Sequence, residues 1–112
     1  MKRYGSVIEL KEDQKDKYIA LHADVWPEVK AKIIQSNIVN YSIFMRRLPD
    51  KKLYLFSYFE YVGNDYEKDM QGMAEDPLTL KWWDVCKPCH KPLEDRGEEE
   101  WWASTEEIFH MD

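Results

Sequence analysis

Residues 38–61, IVNYSIFMRRLPDKKLYLFSYFEY, decide how this chain folds. Two β-rich runs, 38–47 and 53–61, flank Leu48-Pro49-Asp50-Lys51-Lys52, a turn with proline at its second position, so the stretch reads as an antiparallel hairpin. Within the second run Leu53, Leu55 and Phe59 face one side while Tyr54, Phe56 and Tyr58 face the other. Both faces of the sheet therefore need cover. Helices are expected on one, and a second copy of the chain on the other.

Upstream of the hairpin, residues 3–10 (RYGSVIEL) form a short β-rich run free of proline, followed by the polar break Lys11-Glu12-Asp13. From about Gln14 to Gln35, Tyr18, Leu21, Val25, Val29 and Ile33 recur near the helical period, with Pro27 imposing a kink or restart near Asp24 to Pro27. Downstream, Asn64 followed by Glu67 resembles a capping box that opens a short helix carrying Tyr66, Met70 and Met73, weakened at its end by Gly72. Asp76-Pro77 reads as N-cap and first position of another helix, with Leu78, Trp82 and Val85 on one stripe, stopped after Cys86 by Pro88 and Pro92. A charged loop (EDRGEEE, 94–100) leads into a last strand over 101–111. The order β-α-β-β-α-β is the ferredoxin-like split order. It predicts an α+β domain spanning 1–112, with an antiparallel sheet, helices on one face and the other face free to dimerise.

A chain of 112 residues has room for one modest core. Sixteen Lys and Arg against 22 Asp and Glu leave a net charge of −6, which is the wrong sign for a nucleic-acid binder. No apolar run approaches the ~20 residues needed to span a bilayer. The N-terminus shows no signal-peptide core, so a cytoplasmic location with reduced cysteines is expected. Five Trp, seven Tyr and four Phe exceed what one small core would use, so some rings are expected to line a pocket or a subunit interface.

Tyr18, His22 and Trp26 are spaced i, i+4, i+8, one column along a regular helix. A histidine between two rings is a natural proton donor or acceptor near neutral pH; the alternative is a half-buried histidine with a satisfied hydrogen bond. Trp82 and Trp83, adjacent on a helix, diverge by about 100°, so one packs inward while the other borders a cavity. A Trp face suits the C–H face of a sugar, and its N–H suits a hydroxyl. Trp101 and Trp102 are a rival pair that a strand would send to opposite sides. Tyr41, placed with Val39, Ile43 and Met45 on one strand face, ends at the pocket or on a structural partner. Cys86-Lys87-Pro88-Cys89-His90 matches a haem attachment pattern and contains a C-x-x-C, so haem, a redox dithiol or zinc must be weighed against coincidence at a helix end. His110 is expected to be structural. P-loop, G-x-G-x-x-G, G-x-S-x-G and H-E-x-x-H signatures are all missing.

Over nearly its whole length the chain resembles the L-rhamnose mutarotase family. The residues that carry the resemblance are His22-Ala23-Asp24-Val25-Trp26-Pro27-Glu28, Tyr18 before it, Asn40-Tyr41-Ser42-Ile43, Lys81-Trp82-Trp83 and the closing Glu107-Ile108-Phe109-His110. The resemblance implies a homodimer of the dimeric α/β barrel type that interconverts α and β anomers of a 6-deoxy monosaccharide. His22 would be the proton donor, and Tyr18, Tyr41, Trp82 and Trp83 would contact the sugar. Anomer exchange needs one acid and one base, so no cofactor or metal is expected; a tyrosine, a water or a carboxylate would handle the second proton. The acidic 94–100 loop and Trp101-Trp102 depart from the family pattern and bear on which deoxy sugar is bound. Two alternatives are a haem or metal module built on Cys86, Cys89 and His90, and a non-catalytic small-molecule binder.

Overall fold

A computed structural model describes all residues from Met1 to Asp112. The hairpin forms where the sequence places it, with β2 at Ile38–Arg47 and β3 at Leu53–Tyr61. Its turn closes through Lys51 N–H to the Leu48 carbonyl (2.8 Å), with Pro49 setting the second position and Lys51 in the left-handed region (φ 69°). Strand β1 (Lys2–Leu10) pairs antiparallel with β3 along its whole length, from Lys2 opposite Tyr61 to Leu10 opposite Leu53.

Helices α1 (Lys15–Ala23) and α2 (Pro27–Gln35) lie between β1 and β2. The break falls at Asp24 to Trp26, because Pro27 takes the first position of α2 and has no N–H to continue α1. Helices α3 (Tyr66–Glu75) and α4 (Pro77–Cys86) follow the hairpin. The cap of α3 is Asp65, whose carboxylate accepts the Lys68 N–H, one residue later than the Asn64 box predicted. Asp76 caps α4 as expected, through Thr79 N–H. The buried stripe of α4 is Thr79, Trp82 and Cys86; Leu78 faces outward, so the stripe is rotated from the one the sequence suggested.

The last strand is where sequence and structure differ most. No strand runs over 101–111; the free edge of β1 is instead covered by two short pieces, β4 (His90–Lys91) and β5 (Ala103–Ser104). Leu10 and Glu9 pair with His90 and Lys91, then Val7 and Ser6 with Ala103 and Ser104, so the two pieces are one antiparallel strand interrupted by residues 92–102. The sheet order is β2-β3-β1-β4, the ferredoxin-like arrangement of an α+β fold.

All four helices stand on one face. Ile8, Leu10, Leu53 and Leu55 of the sheet pack with Tyr18, Val29, Trp82 and Cys86 of the helices in a single core. The opposite face carries Val7, Phe44, Phe56, Tyr54 and Tyr58, and Phe44 is 63% exposed. The tail crosses toward this face, tied by Thr105 N–H to the Gly5 carbonyl (3.1 Å) and by the exposed Arg3–Glu107 pair. No helix is long and apolar enough to cross a membrane.

Candidate active site

The break between α1 and α2 sets the first feature of the site. α1 carries Tyr18 and His22 one turn apart, and their rings stack at 4.1 Å. Trp26 falls beyond the break, so the column stops at His22. Trp26 packs instead edge-on to Trp82 of α4 at 5.2 Å, and Trp82 also presents its edge to His22 at 5.3 Å. Helix α4 thus completes around His22 the aromatic wall that α1 begins.

The proton inventory of His22 follows from one contact. Its Nδ1 lies 2.9 Å from the Tyr18 carbonyl oxygen, which can only accept, so Nδ1 carries the hydrogen. In the neutral ring Nε2 is left with its lone pair, and it makes no hydrogen bond within the chain. Burial lowers the His22 pKa, only partly offset by the hydrogen bond to Tyr18. The ring therefore rests neutral at pH 7.

Strand β2 positions Tyr41 through a bulge. Asn40 adopts φ 51°, and the pairing with β3 shifts between Val39 and Ser42. Across this irregularity Val39, Tyr41 and Ile43 all border the same cavity between sheet and helices. Tyr41 packs against Phe59 at 5.6 Å. Its ring is partly exposed, but burial of its hydroxyl end pushes the pKa up to about 12.

A cavity of about 920 Å³ opens between the helices and the sheet. His22, Tyr41, Trp82 and Trp83 all line it, so four of the five candidate residues meet at one cavity. Tyr18 is buried behind them at 4% exposure, with its ring against His22 and its hydroxyl 3.0 Å from His90 Nε2. Trp101 and Trp102 both line the same cavity, contrary to the opposite sides a strand would give them, because they sit in the bend before β5 rather than in a strand. Lys87 places its ammonium over Trp83 (5.6 Å) and Trp101 (5.3 Å), bridging α4 and the 92–102 excursion.

His90 also lines the cavity, and sequence reasoning missed its role. The only available signal was its place in the Cys86-x-x-Cys89-His90 string, which pointed to ligation. In the fold both of its nitrogens are engaged, by Tyr18 and by Trp101. Cys86 and Cys89 are buried free thiols, and burial raises the Cys86 pKa to about 12, so Cys86 is a thiol rather than a thiolate. No three His, Cys, Asp or Glu side chains gather as a metal cluster. The haem or metal alternative finds no support. His110 lies in the tail beyond β5, paired with Asp112.

Fold and cavity together define a ferredoxin-like protein with a histidine-bearing, aromatic-walled cavity. A family model described as L-rhamnose mutarotase matches residues 3–111. An L-rhamnose mutarotase of Oceanobacillus iheyensis is 34% identical over 114 residues, and one of Lactiplantibacillus plantarum 32% identical over 112, with all of both chains covered in each case. The chain belongs to the L-rhamnose mutarotase family. Two solved structures share its fold. The crystal structure of L-rhamnose mutarotase FA22100 from Formosa agariphila has a TM-score of 0.74 at 24% identity, covering 100% of both chains. Tetracenomycin F2 cyclase from Streptomyces glaucescens has a TM-score of 0.71 at 13% identity, covering 100% of this chain and 98% of that one.

Proposed function

We propose that this chain, acting as one domain over residues 1–112, interconverts the α and β anomers of L-rhamnose, with His22 moving the proton. The observation that carries this reading is the His22 ring itself. Its Nδ1–H is committed to the Tyr18 carbonyl, and the ring faces a cavity walled by indoles, with Nε2 making no bond to the chain. Neutral Nε2 takes the proton of the anomeric hydroxyl and delivers it to the ring oxygen bonded to the same carbon. The C1–O5 bond breaks as the C1 carbonyl forms; rotation about C1–C2 and the reverse steps close the other anomer. His22 is thus base on one leg and proton donor on the next. No cofactor enters this scheme.

Trp82 and Trp83 offer the flat faces a sugar's C–H groups stack on, and the apolar residues behind them suit a C6 methyl. Tyr41 contributes its hydroxyl from β2, and Tyr18 its hydroxyl from behind His22. The exposed apolar face of the sheet supports a homodimer.

Saturation-transfer NMR tests the reaction. The protein is expected to speed exchange between the two L-rhamnose anomers, and His22→Ala to lower the rate by about 10²-fold. If neither L-rhamnose nor any other aldose in a panel exchanges faster than in buffer, the proposal fails; if sugar binds in calorimetry without faster exchange, the chain is a binding module instead.

A further inference from the structure

Proton positions around Tyr18 are set by a residue outside those that carry the family resemblance. Trp101 Nε1 lies 3.0 Å from His90 Nδ1, and His90 Nε2 lies 3.0 Å from the Tyr18 hydroxyl. An indole N–H can only donate, so His90 Nδ1 must be bare and accepting. Burial, with His22 and Lys87 nearby, lowers the His90 pKa to about 4, which leaves the ring neutral at pH 7. A neutral imidazole has a single N–H. It therefore resides on Nε2 and donates to the Tyr18 oxygen.

The phenol's own hydrogen is consequently not spent on His90, and no other side chain or carbonyl of the protein accepts it. The Tyr18 hydroxyl lies 3.0 Å from Nε2 of His90, and His90 lines the cavity. We propose that His90, held in one tautomer by Trp101, is a positioning residue that keeps the Tyr18 hydroxyl as a hydrogen-bond donor to a sugar oxygen. Without the indole, the imidazole is free to carry its hydrogen on Nδ1. Tyr18 would then donate to Nε2 and turn a lone pair toward the ligand. The bond from Trp101 also rules out His90 as a base behind Tyr18, since its Nε2 has no lone pair to receive the phenol's proton. The inference rests on the sugar-isomerase reading and deepens it by giving Tyr18 one polarity.

Two measurements test it. In protein labelled with ¹⁵N at histidine, two-bond ¹H–¹⁵N correlations at pH 7 are expected to report an Nε2–H tautomer for His90, and Trp101→Phe to shift part of the population to Nδ1–H. An Nδ1–H tautomer in the unmodified protein overturns the proposal. In the anomer-exchange assay His90→Leu is expected to lower kcat/KM by about 10-fold, mainly through KM, as loss of one hydrogen bond to ligand would. His90→Gln, which keeps an N–H where Nε2 stood, is expected to recover most of that. Made in a Tyr18→Phe background, His90→Leu is expected to add less than about twofold, since its target is already gone. Equal losses in both backgrounds, or full activity in Tyr18→Phe, overturn the role of His90 while leaving the mutarotase reading intact. An unmodified protein that speeds no aldose fails that reading and removes the sugar as the acceptor for Tyr18.

Discussion

His22 and His90 open on one cavity, and at the residue scale protonation of each is felt in a different property. In the proposed scheme the neutral His22 ring starts the reaction, so kcat/KM is expected to fall as pH drops through a value below the ordinary 6.5, and to level off above it. A profile that instead falls with rising pH across that range would reverse the order of its two roles. For His90 the effect is on stability. Its pKa is about 4 folded against about 6.5 unfolded, so the stabilisation is complete above 6.5 and is lost as pH falls toward 4, where the unfolded chain takes up a proton the folded one refuses. The loss amounts to about 3 kcal/mol at most. Denaturant unfolding between pH 7 and 4 should show it, and His90→Gln should reduce the slope, leaving the parts due to His22 and to hydrogen-bonded carboxylates such as Asp69 and Asp76, whose pKa values are lowered. His22, Tyr41, Trp82 and Trp83 were recognisable in the sequence because each sits on a regular element or in a family motif. His90 was not, because its role depends on Trp101, a partner brought to it by a bend that obeys no period.

At the scale of elements, the hairpin was legible to the residue: β-branched and aromatic runs and Pro49 mark its limits without help from tertiary structure. The bulge inside β2 was not, since nothing in IVNYSIF distinguishes an extra residue from continued alternation. Asn40 bears that bulge in the left-handed region, which asparagine tolerates and a β-branched residue does not. Asn40→Val is expected to cost about 1–2 kcal/mol and to raise KM by displacing Tyr41, while Asn40→Gly should keep Tyr41 in place. Thermal unfolding and the exchange assay separate the two effects; a Val variant with unchanged KM would mean that the bulge does not aim Tyr41. The helix break at Asp24 to Trp26 was readable from Pro27, whereas the turn of α4 that buries Thr79 in place of Leu78 is fixed only by what the helix packs against.

The whole molecule exposes apolar surface on the sheet face away from the helices. Phe44 is 63% exposed there, and the tail adds Ile108, Phe109 and Met111 at 90%, 77% and 78%. Burying such a patch between two copies would remove it from water and close two half-barrels into one. Sedimentation equilibrium should give twice the chain mass, and Phe44→Asp, which places a charge at the centre of the patch, should give single chains with the fold retained. Single chains in the unmodified protein would remove the homodimer.

The interrupted strand has a consequence for how this protein can diverge. His90–Lys91 and Ala103–Ser104 grip β1 independently, so the intervening excursion can be lengthened, trimmed or rewritten while both anchors hold. That excursion delivers Trp101 and Trp102 to the cavity, on the side facing His90. Changes in the excursion therefore reach the cavity lining through Trp101 and Trp102 without loosening either grip on the edge of the sheet.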